Sequence, residues 1–235
     1  KEMTKYANLI ISDNRGIETY IQNTYPWSRT TFIAYGTDLS KTTLTAEDTP
    51  VRDWYQKWET QEKDYYLILG RFVPENNYEA MIREFIKSKS KKDFVLITNV
   101  EQNKFYDQLL QDTGFDKDPR VKFVGTVYDQ ELLKYIREHA FAYFHGHEVG
   151  GTNPSLLEAL ASTKLNLLLD VGFNREVGED GAIYWKKDEL ARVIEEVEGF
   201  NQAAIADLDF KSSQRILSAF TWEKIVSDYE EVFKG

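Results

Sequence analysis

The sequence predicts an α/β protein in which a parallel sheet is covered by helices on both faces. Three observations carry this. From residue 65 onward, short apolar runs alternate with helical patterns at a regular βα period. Most of those runs, YYLILG, FVLIT, VKFV, FAYF and LNLLL, are near-continuously apolar. Strands that alternate apolar with polar residues keep one face wet, whereas unbroken apolar strands are buried on both. Finally, the 235 residues are 42% hydrophobic and 14% aromatic, enough to fill the core of one large domain with appendages.

The elements follow in order. Residues 7–12 (ANLIIS) form a strand-like run. Asp13 or Asn14 can cap a helix over 15–23 with Ile17, Tyr20 and Ile21 on one face. Residues 30–34 (TTFIA) make a second strand, closed by the turn signal at 35–38. This strand–helix–strand piece is too small to bury both its faces alone. Residues 37–50, rich in Thr, Asp and Lys, read as a linker or hinge, and a short helix over 51–58 places Trp54 and Trp58 at i, i+4. The regular region then runs as strand 65–70, helix 78–88, strand 94–98, helix 103–113 ended by Gly114, strand 121–124, helix 130–138 capped by Asp129, and strand 141–144. After it come helix 154–162, strands 165–169 and 182–185, and helices 189–198 and 203–217.

The stretch YFHGHEVGGTNPSLLEALA, residues 143–161, joins a strand to a helix through a glycine-bearing loop. Gly150 and Gly151 allow close backbone approach, Thr152 or Asn153 can be the N-cap, and Pro154 suits the first helical position. A helix opening there presents N–H groups and a positive dipole end to an anion. Glu158, four residues after Pro154, can face the same ligand. Phosphates on the amides and ribose hydroxyls on the carboxylate would together describe a nucleotide. In parallel sheets ligands bind at the carboxyl ends of the strands. Two loops of that kind stand out, 70–77 and 145–155.

The absence of cysteine excludes disulfides and thiol chemistry and suits a cytosolic address. A net charge of −10 argues against a nucleic-acid partner and against a broadly basic membrane-binding surface. No apolar run has the length of a membrane span, and no signal peptide is evident. No G-x-G-x-x-G follows a strand, which speaks against a dinucleotide oxidoreductase. The chain opens on Lys1, from which a fragment or processed form is expected.

Four motifs, in order, carry a resemblance. Gly70-Arg71-Phe72-Val73-Pro74-Glu75 resembles the loop that opens the donor domain of GT-B glycosyltransferases. Val124-Gly125-Thr126-Val127 resembles their third-strand loop beside the nucleotide base. Asn153-Pro154-Ser155-Leu156-Leu157-Glu158-Ala159 resembles the segment holding the second glutamate of the family-4 signature. Phe220-Thr221-Trp222-Glu223-Lys224, followed by Tyr229, resembles the terminal helix that crosses back to the first domain. GRFVPENN with GGTNPSLLEAL is most similar to bacterial enzymes of rhamnosyl transfer in polysaccharide synthesis.

The resemblance implies one Rossmann-like half of a GT-B fold plus a partial piece of the other. Residues 1–40 would be the tail of the N-terminal acceptor domain and 41–60 a linker with a short helix. Residues 61–217 would bind the nucleotide-sugar donor, and 218–235 would be the helix crossing back. The implied activity is retaining transfer of a sugar, L-rhamnose from dTDP-L-rhamnose, to a saccharide or lipid-linked saccharide acceptor bound by the N-terminal domain. The implied location is cytoplasmic, with peripheral association of the full-length protein at the inner face of the membrane. Neither cofactor nor metal is expected: His145, His147 and Glu148 raise the question of a metal, but their spacing on a loop fits no helical ligand pair.

Role by role, Arg71 would pair with the diphosphate, a task its two-pronged guanidinium suits. The lysine usual in this loop is absent, and Asn76 or Asn77 stands near its place. Glu158 would bind the ribose. The first signature glutamate would fall at Gly150, and Glu148 is the candidate to replace it. His147 joins Arg71 and Glu148 in the implied catalytic set, with His145, Asp170 and Asn174 near the same rim. Gly70, Asn76, Gly125, Thr126, Tyr128, Gly151, Thr152 and Asn153 complete the implied donor site. Two other readings stand beside this one, a sugar-nucleotide epimerase of the same fold and a non-catalytic nucleotide- or sugar-binding module.

Overall fold

A computed structural model describes residues 2–100 and 102–234. It opens with a one-turn helix, α1 (Met3–Tyr6), that the sequence pattern did not predict. Strand β1 (Ile10–Ser12), helix α2 (Arg15–Thr24) and strand β2 (Thr30–Phe32) follow. The two strands pair in parallel, Ile10 opposite Thr30, as a small sheet of their own. Asn14, not Asp13, is the cap of α2: its Oδ1 accepts from the N–H groups of Gly16 and Ile17. On α2, Ile17 and Ile21 turn inward, but Tyr20 is 63% exposed and leaves the predicted face.

The segment read as a linker is fastened down. The backbone N–H of Thr37 donates to Phe220 O at 2.8 Å. The N–H of Thr42 and of Thr43 donate to the carboxylates of Glu138 and Glu131, at 2.8 and 2.6 Å. Helix α3 (Thr49–Trp58) starts two residues before the predicted boundary, with Pro50 in its first turn. Proline is tolerated there because that N–H has no intrahelical partner to lose.

The main sheet has six parallel strands in the order β5-β4-β3-β6-β7-β8. They are β3 (Tyr65–Leu69), β4 (Asp93–Ile97), β5 (Val121–Gly125), β6 (Ala142–His145), β7 (Asn166–Leu169) and β8 (Ile183–Trp185). Each lies within a few residues of its predicted run. The helices are α4 (Tyr78–Lys87), α5 (Lys104–Thr113), α6 (Gln130–Glu138), α7 (Pro154–Ser162), α8 (Gly172–Gly178), α9 (Leu190–Glu198), α10 (Gln202–Ala219) and α11 (Trp222–Lys234). Helix α8 was not anticipated, since its stretch offers little apolar periodicity. Asn174 anchors it, donating from Nδ2 to Leu169 O and His147 O.

The alternation of side chains along each strand sorts the core into layers. Tyr66, Ile68, Phe94, Leu96, Phe144 and Leu167 face one way, onto Met81 and Phe85 of α4 and Val193 and Ile194 of α9. Tyr65, Leu67, Val95, Ile97 and Tyr143 face the other, onto Val51 and Trp54 of α3 and Leu133 and Ile136 of α6. A third cluster joins α7, α10 and α11 to Ile33 and Ala34 just after β2. It binds the N-terminal piece to the rest. Gly36 sits where a Cβ would lie 2.6 Å from the Trp222 ring, so any side chain there would push α11 away.

Candidate functional site

The sheet order reverses between β3 and β6. The chain first builds outward from β3 through β4 to β5, then returns to lay β6 on the opposite side of β3. At such a switch point the loops leaving neighbouring strands run in opposite directions and a crevice opens above their carboxyl ends. The two loops singled out by sequence, after β3 and after β6, are brought together there.

Short polar contacts hold the pair. Asn76, closing a 3-10 turn over Pro74–Asn76, donates from Nδ2 to Arg71 O at 2.7 Å. With its amide so oriented, Asn76 Oδ1 accepts from His147 Nδ1 at 2.8 Å, which fixes the proton of that imidazole on Nδ1. Asn77 is left-handed (φ 54°) and buried, and donates from Nδ2 to Gly146 O at 2.7 Å. Glu148 N–H donates to Glu75 O at 3.1 Å. Gly146 is obligatory: a Cβ there would lie 2.4 Å from the backbone oxygen of Asn76.

Two adjoining clefts result. One, of about 280 Å³, is lined by Gly70, Arg71, Asn76, His145, His147 and Ser155 among others. The second, of about 370 Å³, shares Gly70, Arg71 and Ser155 and extends over Thr98, Asn99, Thr126 and Val127. Arg71 is exposed and is the one Lys or Arg among the lining residues of either cleft. His145, by contrast, is buried in the floor at the end of β6, and its Nε2 has no hydrogen-bond partner. Burial, with His147 beside it, pushes its pKa down to about 3, so it is uncharged. Burial also lowers that of His147. A larger groove, about 760 Å³, lies elsewhere, between the N-terminal piece, α10 and α11. It is off the carboxyl ends of the main strands, so the smaller clefts are the better ligand candidates.

Helix α7 points its N-terminus at the first cleft through Asn153, Pro154 and Ser155. Its amides are less free than the loop sequence implied. Ser155 N–H donates to Asn153 Oδ1, and the N–H groups of Leu156 and Leu157 donate to Asn153 O. The helix therefore offers its dipole and Ser155 more than bare donors.

Of the residues expected at the site, Gly70, Arg71, Asn76, His147, Asn153 and Thr126 line the clefts. Gly125 lies at the end of β5 with φ +75° and adjoins Thr126. The others have different surroundings. Glu158 pairs with Arg137, whose side chain is only 7% exposed. Glu148 pairs with Lys187 Nζ at 2.6 Å, and that hydrogen bond holds its carboxyl below the usual range. Thr152 is buried with its hydroxyl donating to Asp13 O, and a Cβ on Gly151 would collide with the Asp13 carboxylate. Tyr128 is 86% exposed and lines neither cleft. Asp170 pairs with Arg175. Sequence reasoning missed Thr98 and Asn99, although their place just after β4, one strand from the switch point, is a signal that could have found them. Among the described residues no group of three or more His, Asp or Glu side chains is placed to hold a metal ion.

Residues 1–38 match the model of a domain of unknown function, DUF1972. No curated protein matches the chain. Solved structures match nearly all of it. Sucrose-phosphate synthase from Thermosynechococcus elongatus superposes with a TM-score of 0.81 at 18% identity, over 99% of this chain and 59% of that one. A glycosyltransferase from Rickettsia africae gives 0.86 at 12%, over 100% and 66%. HepE from Anabaena in complex with UDP gives 0.82 at 18%, over 99% and 65%. The chain thus spans about three fifths to two thirds of each. At these identities the likeness establishes the fold: a parallel α/β sheet matching one Rossmann-like half of the GT-B glycosyltransferases.

Proposed function

We propose that this chain is the donor-binding half of a glycosyltransferase and holds a nucleoside-diphosphate sugar in the two clefts at the switch point. The observation that carries this is Arg71, a lone exposed cation lining both clefts in front of the N-terminus of α7. In this reading the diphosphate lies against Arg71 and the helix dipole. The nucleoside follows the cleft over Thr98, Asn99 and Thr126, and the sugar sits over His145 and His147. HepE, one of the structural neighbours, was solved with UDP and with UDP-glucose, which supports a ligand of this class.

As the bond from the sugar to the diphosphate lengthens, positive charge develops on the sugar ring and negative charge on the departing phosphate. Arg71 and the α7 dipole stabilise the second. The acceptor hydroxyl would be bound and oriented by the other half of a GT-B enzyme. The finer reading is retaining transfer of L-rhamnose from dTDP-L-rhamnose to a saccharide acceptor in bacterial surface-polysaccharide synthesis. It rests on GRFVPENN and GGTNPSLLEAL.

A second reading has one observation in its favour. Both candidate glutamates, Glu148 and Glu158, are engaged by cations, as in a module that binds a nucleotide without using it. Calorimetric titration with UDP, dTDP, UDP-glucose and dTDP-L-rhamnose tests the site. Saturable binding of one diphosphate, weakened about tenfold or more by Arg71→Ala with unfolding unchanged, is expected. Absence of binding by all four would overturn the proposal. Donor hydrolysis by the full-length protein separates enzyme from binding module.

A further inference from the structure

We propose that His145 reads the transferred sugar, hydrogen-bonding one of its hydroxyls from the floor of the Arg71 cleft. The proposal rests on the donor-site reading above and assigns a specificity contact within it. The imidazole is 4% exposed, closes β6 beside β3, and leaves Nε2 without a partner. Buried polar atoms are nearly always paired, so an unpaired one on a residue that lines a cleft marks a place where a ligand atom can complete the set.

Two neighbouring polar atoms are already committed. His147 Nδ1 is taken by Asn76, and Asn153 Oδ1 by the N–H of Ser155. His145 Nε2 has no such partner. The choice between a sugar hydroxyl and a phosphate oxygen follows from charge. The imidazole is uncharged, whereas Arg71 and the α7 dipole, at the rim, are the groups suited to an anion. A hydroxyl both donates and accepts, so it satisfies either tautomer of the ring. A phosphate oxygen only accepts and would be better served by a cation.

The test compares a diphosphate with its own sugar nucleotide, UDP with UDP-glucose and dTDP with dTDP-L-rhamnose, on wild type and His145→Leu. For the pair that binds, the variant is expected to hold the diphosphate within about twofold and to lose about tenfold for the sugar nucleotide. His145→Gln, which keeps a donor and an acceptor, is expected to recover part of the loss. Equal loss for both ligands would put the imidazole at the phosphate, and no loss for either would separate it from the ligand. Both outcomes overturn the proposal. Should His145→Leu fail to fold, imidazole nitrogen NMR of histidine-labelled wild type serves instead. The His145 signal should shift with the sugar nucleotide and not with the diphosphate, and the same shift with both overturns the idea. Wild type that binds no diphosphate at all would refute the donor reading itself, a result distinct from binding without discrimination at His145.

Discussion

The buried, uncharged state of His145 has a measurable cost in acid. In the unfolded chain its pKa is the ordinary 6.5, and in the folded chain it is about 3. Below the unfolded value the unfolded chain takes up a proton that the folded chain refuses. Stability is therefore full above about pH 6.5 and falls as pH drops toward 3. The slope is about 1.4 kcal/mol per pH unit, so near pH 5 the loss is about 2 kcal/mol. That figure barely depends on the folded value, since anything below about 4 gives the same result. Other groups also respond to acid, among them Asp118, Glu148 and Asp170, whose partners hold their carboxyls low. They cancel when wild type is compared with His145→Gln. Urea unfolding at about pH 7 and about pH 5 should show the variant losing about 2 kcal/mol less than wild type. Equal losses in the two proteins would refute the reasoning, because they would mean that position 145 is solvated and free to take up its proton.

Two further outcomes follow from local geometry. Asn14→Ala removes the cap of α2 and the 2.9 Å bond from Nδ2 to Glu176. It should cost about 1–2 kcal/mol in urea unfolding, with Asn14→Ser recovering the capping part. Gly146→Ala drives a methyl group against the Asn76 backbone oxygen. It should cost about 1–3 kcal/mol and also weaken nucleotide binding in calorimetry, since the Arg71 loop must move. Normal stability with unchanged binding would show that the two loops are not locked together.

The candidate site was partly legible beforehand. Asn153 was singled out as a cap in the loop after an apolar strand, and Arg71, Asn76, His147 and Thr126 by the family resemblance, and all five line the clefts. Glu158 is a different matter. Its spacing from Pro154 places it on the next turn of α7, but spacing says nothing of which neighbour faces that turn. Arg137, on α6, does. The same holds for Glu148 with Lys187 and for Thr152 with Asp13. Each partner is remote in sequence, and no local pattern announces it. The α7 amides show the reverse case: Asn153 was named as a cap, and its own capping bonds use up the donors that the anion-site reading had counted as open.

The sequence by itself determined the strands of this protein, its helices other than α1 and α8, and several of the caps between them. Those depend on interactions within a few residues: apolar periodicity against a buried layer, and a side-chain oxygen reaching the next turn. Only the tertiary structure decided the order β5-β4-β3-β6-β7-β8. It set the loop after β3 against the loop after β6, left His145 Nε2 unpaired in the floor between them, and chose the cations that hold Glu148 and Glu158. The physical reason is that strand order and ion pairing are settled by contacts between segments far apart in the chain, where burial and charge act across space and leave no periodic trace along the sequence.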